Sequence, residues 1–102
     1  MILNMDAELV EMLEEEFQRY SDETRINELF TTWKNLGLDF DEECVKAFMI
    51  GSVYGSCLFI INSFNNYSSD KRIKQEFVKR FNSHIRGLEQ LYAHYLQKIN
   101  TE

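Results

Sequence analysis

Residues 47–69 read AFMIGSVYGSCLFIINSFNNYSS and contain no charged side chain, although 27% of the protein is charged. A run of this length must be covered, because its apolar surface is costly to expose to water. Ala47, Gly51 and Gly55 recur at every fourth position, so they form a track of small residues along one side of a helix. Such a track allows the backbone of a second helix to approach closely.

Length and composition predict one helical domain over residues 1–102. An apolar content of 44% and an aromatic content of 14% argue against disorder. The absence of proline and the presence of only four glycines favour long helices over a turn-rich β fold. The two cysteines lack metal-binding spacing, and the acidic first residues lack the basic segment of a secretory signal. We therefore expect reduced thiols and a cytoplasmic location.

The spacing of apolar residues predicts four helices, over about residues 6–20, 24–36, 41–65 and 69–99. The fourth has the most regular apolar seam, formed by Ile73, Phe77, Phe81, Ile85, Leu88, Tyr92, Tyr95 and Ile99. Two long helices joined by a short polar segment form an antiparallel hairpin. The predicted fold is all-α, a four-helix bundle in which two shorter helices pack on the long antiparallel hairpin of helices 3 and 4.

The third helix is apolar on every side, which is typical of a bundle core, of an interface between helices or of a membrane span. Polar residues such as Ser52, Ser56 and Asn62, and the lack of a basic residue after the run until Lys71, argue against a span. Three neighbouring helices are few for covering such a helix, so we predict a homodimer. The predicted interface residues are Ala47, Ile50, Gly51, Tyr54, Gly55, Leu58 and Ile61.

Charge is divided unevenly along the chain. Residues 1–45 hold 13 acidic and 3 basic side chains, whereas residues 46–102 hold 4 acidic and 8 basic ones. A predicted acidic face contains Glu8, Glu11, Glu15 and Asp22, with Glu14 and Glu16 beside them, and a basic stripe contains Arg72, Lys79 and Arg86. These charged residues either determine how the helices pack against each other or bind an oppositely charged partner. The acidity of the whole argues against nucleic acid.

Catalytic and metal-binding patterns are not evident in the sequence. His84 and His94 are ten positions apart on one predicted helix, too far along its axis to share a metal within one chain. We therefore expect no enzyme activity, no cofactor and no metal. The expected function is that of a protein-interaction or regulatory factor that forms a homodimer and also binds another protein. The alternative is a binder of a small hydrophobic or nucleotide-like ligand in a cleft between helices.

Overall fold

A computed structural model describes residues 7–64 and 71–100, and this part of the chain contains four helices and no strand. The helices are α1 (Ala7–Arg19), α2 (Glu23–Asn35), α3 (Glu42–Asn62) and α4 (Lys71–Asn100). The prediction of an all-α fold is confirmed. The predicted start of helix 1, end of helix 3 and start of helix 4, at residues 6, 65 and 69, fall outside the described ranges.

Local signals in the sequence explain where α2 and α3 begin and end. The side chain of Asp22 accepts a hydrogen bond from the backbone N–H of Thr24 at 2.8 Å and so caps the start of α2. Asp41 caps α3 in the same way, by accepting from the N–H of Glu43 at 3.0 Å. Gly37, with a φ of 71°, ends α2, because this left-handed conformation costs glycine little.

Helices α3 and α4 form the predicted antiparallel hairpin. The ring of Tyr54, in the middle of α3, lies 5.5 Å from that of Phe77 and 5.3 Å from that of Phe81. Glu43, near the start of α3, lines the same groove as Glu89, which is farther along α4. Later residues of α3 therefore lie beside earlier residues of α4, so the two helices are antiparallel.

The two short helices cover different lengths of this hairpin. From α1, Phe17 packs on Phe81, and directly after α1 the carbonyl of Tyr20 accepts a hydrogen bond from the Tyr92 hydroxyl at 2.7 Å. From α2, Phe30 packs against Tyr95 near the C-terminal end of α4. The middle of α3 therefore has α1 and α4 as its neighbours, while α2 lies at the end where α3 begins.

The core contains one apolar stripe from each helix. We call the stripe of α3 the inner face; its side chains are fully buried and recur at every fourth position: Val45, Met49, Val53, Cys57 and Ile61. Five of the eight predicted seam positions of α4 are buried, whereas Ile85, Tyr95 and Ile99 are half-buried, and Leu96, outside the predicted seam, is fully buried. Tyr95 lies at the edge because its hydroxyl donates to the side chain of Asn27 at 2.6 Å.

Candidate interaction surface

The side of α3 that points away from α1 and α4 is exposed and uncharged. We call it the outer face, and its exposed residues recur three or four positions apart: Cys44, Ala47, Gly51, Gly55, Phe59 and Asn62. Phe59 is 74% exposed, the largest exposed fraction among the bulky apolar side chains of the described residues. An uncharged helix face that carries an exposed aromatic ring is typical of a binding site, because contact with water is unfavourable for apolar surface.

A groove of about 450 Å³ runs between α3 and α4 beside the outer face. Its lining residues are mainly small or apolar, with charges at one end: Glu43, Lys46, Ala47, Ile50, Gly51, Tyr54, Phe81 and Glu89. Lys46 and Glu43 form an ion pair at 3.1 Å on the surface of α3. A Cβ atom added at Gly51 or Gly55 would meet nothing within 4 Å, so space is open above both glycines.

The seven predicted interface residues divide into three groups. Four of them are exposed: Ala47, Gly51, Tyr54 and Gly55. Ile50 and Leu58 are half-buried at the margins of the outer face. Ile61 is fully buried on the inner face, which corrects its assignment to the surface. It belongs to the core because it continues the four-residue stripe of the inner face towards the end of α3.

Helix α3 also has the length and apolarity that a membrane span requires. Its 21 residues include a window with a mean hydropathy of 1.8, of which 28% is buried within the protein. Length and composition alone give α3 this property. The same residues form the inner face of the bundle core, so one side of α3 is already covered by α1, α2 and α4.

The residues of the predicted acidic face and basic stripe all lie on the surface. The exposed acidic residues are Glu8, Glu11, Glu15 and Asp22, and the exposed basic residues are Arg72, Lys79 and Arg86. Between α1 and α4, Glu14 forms an ion pair with His84 at 3.0 Å, when that histidine is protonated, and lies 3.9 Å from Arg80. His84 also stacks on Phe17, with ring centroids 4.1 Å apart, so it packs between the two helices.

Glu16 is not part of the acidic surface. It is 9% exposed, and it accepts a hydrogen bond from the Ser56 hydroxyl of α3 at 2.6 Å. Its other carboxylate oxygen lies 2.7 Å from Nε of Arg19. A buried carboxylate needs such partners, because an unpaired charge away from water is costly. The sequence signal for this contact is weak, since Ser56 is one of several hydroxyl residues in the uncharged run.

The two cysteines have different surroundings. Cys44 is exposed and Cys57 is buried, and both are free thiols. Burial, together with the negative charges of Glu16 and Glu14, raises the pKa of Cys57 to about 12. Burial, followed by the neighbouring Tyr20, also raises the pKa of Tyr92. Both groups therefore hold their protons in the folded protein and are poor nucleophiles at neutral pH.

Among residues 7–64 and 71–100, no group of three or more His, Cys, Asp or Glu side chains is arranged to hold a metal ion. Comparison with protein-family models, with curated proteins and with solved structures found no match. A functional interpretation must therefore be based on the residues exposed on the surface of the described part of the chain. Its most distinctive part is the uncharged outer face of α3 with the adjoining groove.

Proposed function

We propose that this protein is a non-catalytic interaction factor that forms a homodimer through the outer face of α3. The supporting observation is that the most apolar helix of the bundle is covered on its inner face only, within the described part of the chain. Burying apolar surface contributes roughly 25 cal/mol per Å². Homodimer interfaces are richer in apolar surface than the rest of a protein's exterior, and the outer face has this character.

The glycines of the outer face support contact with another helix. Gly51 and Gly55 have no side chain, and the space above them is open in the monomer. A second helix can therefore approach the backbone of α3 closely, which increases the van der Waals contact between the two helices. Nothing in the fold of one chain requires glycine here, because both positions have ordinary helical backbone conformations.

A second protein partner fits the acidic face. The carboxylates of Glu8, Glu11, Glu15 and Asp22 are on the surface of α1 and at the start of α2. A surface of one sign accelerates and orients the approach of an oppositely charged partner. This partner would therefore present basic side chains.

A cytoplasmic location agrees with the state of the thiols. Cys44 and Cys57 lie about 20 Å apart along the axis of α3, which is too far for a disulfide within one chain. The protein therefore gains no internal cross-link from an oxidising compartment.

Native mass spectrometry of the purified protein tests the homodimer. We expect wild type to have the mass of two chains at micromolar concentration, and Gly55→Leu to have the mass of one chain. Gly87→Leu on α4 is the matched control, because an added side chain there also meets nothing within 4 Å. It should remain a dimer.

A monomeric wild type would contradict the homodimer. A dimeric Gly55→Leu variant, or equal dissociation of both leucine variants, would contradict the assignment of its interface to the outer face of α3. A monomer that floats with phosphatidylcholine vesicles would assign the outer face to a membrane instead. Circular dichroism of each variant separates loss of the dimer from loss of the fold.

The groove favours a second candidate function, the binding of a small hydrophobic or nucleotide-like ligand. Its volume of about 450 Å³ lies within the range of small-molecule sites, and Tyr54 and Phe81 supply aromatic walls. In this case the monomer would carry excess mass under gentle ionisation. Denaturation would release a compound that absorbs or ionises separately from the protein.

A further inference from the structure

We infer that the two α3 helices of the dimer cross antiparallel at the level of Val53, with Phe59 of each copy seated in the groove between α3 and α4 of the other. This inference rests on the proposed homodimer and adds its geometry. It gives a partner to the most exposed bulky side chain and an occupant to the groove.

The spacing along the outer face favours the antiparallel arrangement. In an antiparallel pair centred at Val53, Gly51 of one copy lies opposite Gly55 of the other, and Ala47 lies opposite Phe59. Each large ring therefore meets a small residue. In a parallel pair with the same centre, Phe59 would meet Phe59 and Ala47 would meet Ala47, which leaves rings crowded at one end and a gap at the other.

The groove has the size and lining that a phenylalanine ring requires. An apolar cavity of roughly 150 Å³ is enough to bind benzene, and this groove measures about 450 Å³. Ala47 and Gly51 leave it open towards the outer face, while Tyr54 and Phe81 form aromatic walls. Aromatic rings pack favourably in tilted or edge-to-face arrangements, so these walls suit the ring of Phe59.

Charge at the two ends of the hairpin also favours the antiparallel pair. The end where α3 begins is mainly acidic, with Asp39, Asp41, Glu42, Glu43 and Glu89, and Lys46 pairs with Glu43. The opposite end, where α4 begins, is mainly basic, with Lys71, Arg72 and Lys74. An antiparallel pair brings unlike ends together twice, whereas a parallel pair brings like ends together.

Thiol cross-linking distinguishes the two orientations. Cys44 and Asn62 lie near opposite ends of the outer face, and both are exposed, whereas Cys57 is buried. In the antiparallel dimer the two Cys44 thiols are about 27 Å apart along the helix axes. A short bismaleimide should therefore leave wild type uncross-linked but should join two chains of Asn62→Cys. The double variant Cys44→Ser/Asn62→Cys should again remain uncross-linked.

The results separate failure of this inference from failure of the homodimer. A wild type that is monomeric by native mass spectrometry contradicts the homodimer itself. A dimeric wild type that cross-links through Cys44, together with cross-linking of the double variant, means a parallel dimer and overturns only the orientation. A dimer in which none of the three proteins cross-links also overturns it, because the chains would then meet elsewhere.

A substitution at Phe59 tests its seat in the groove. Phe59→Ala should raise the dimer dissociation constant at least tenfold. Val78→Ala, which shortens a 44% exposed apolar side chain on α4, is the control and should change it less than threefold. Equal effects of the two substitutions would overturn the role of Phe59. The orientation of the two helices would still be decided by the cross-linking experiment.

Discussion

The inner and outer faces of α3 are both apolar, but they have opposite surroundings. The inner face, from Val45 to Ile61, is fully buried against the other helices. The outer face, from Cys44 to Asn62, is exposed in the described part of one chain. Apolar character therefore indicates that a surface will be covered, but it does not say whether the cover comes from the same chain. Whether a residue of α3 is buried within one chain is what distinguishes the two faces.

The largest difference is expected between Met49 and Phe59. Met49 is fully buried, so Met49→Ala should leave a cavity and lower the free energy of unfolding by about 2–5 kcal/mol. Phe59→Ala removes an exposed ring, and its effect on the monomer should stay within about 0.5 kcal/mol. Urea denaturation measures both, in the monomeric Gly55→Leu background, so that dimer dissociation does not contribute. A loss at Phe59 as large as that at Met49 would mean that its ring is packed within the monomer.

A smaller effect on stability is expected at the hydrogen bond between Ser56 of α3 and Glu16 of α1. Ser56→Ala removes the donor to the buried carboxylate of Glu16, and this should lower the free energy of unfolding by about 1–3 kcal/mol. Ser52→Ala is the matched control, because the Ser52 hydroxyl donates to the carbonyl of Phe48 within its own helix. Alanine is the better helix former, so this change should be close to neutral. Thermal denaturation of the two variants under identical conditions provides the comparison, and equal losses would contradict the role of Glu16.

The smallest effect on stability is expected at the cysteines, which differ in their reactivity because one is exposed and the other is buried. In the native protein a maleimide should modify the exposed Cys44 and leave Cys57 unmodified, while both react in denaturant. The raised pKa of Cys57 means that the folded state keeps a proton which the unfolded state releases above pH 9. Its contribution to stability is therefore complete below pH 9 and decreases as the pH rises towards 12.

The alkaline part of this prediction needs a variant without the buried thiol. Cys57→Ala should lose less stability than wild type between pH 9 and pH 11, as measured by urea denaturation at each pH. An identical loss in both proteins would mean that the Cys57 thiol does not contribute. Rapid modification of Cys57 in the native state would mean that α3 opens locally.

The helices were predictable because their signals are local. Asp41 accepts hydrogen bonds from free N–H groups at the start of α3, and Gly37 adopts the left-handed conformation that ends α2. The hairpin was predictable as well, because the apolar seam of α4 and the uncharged run of α3 are joined by a short polar segment. These features depend on neighbours in the sequence, so no tertiary contact is needed to recognise them.

The candidate surface was predictable only in part. The spacing of Ala47, Gly51 and Gly55 predicts a close-packing surface, but the sequence does not say whether that surface belongs to the core. The sequence predicts Ile61 at the interface and Glu16 beside the exposed carboxylates, whereas Ile61 is buried and Glu16 is hydrogen-bonded to Ser56. These assignments require the rotation of each helix about its own axis, and an apolar helix without a polar side gives no signal for that rotation.

Composition and periodicity thus determined that the chain is helical, that α3 and α4 pair, and that α3 must be covered. The tertiary structure decided which side of α3 faces the core, because the positions of α1, α2 and α4 define which apolar residues are buried within one chain. It also brought Tyr54 and Phe81 together into the walls of one groove. Contacts between residues distant in sequence depend on how helices are placed in three dimensions, and a helical period specifies only the neighbours along one helix.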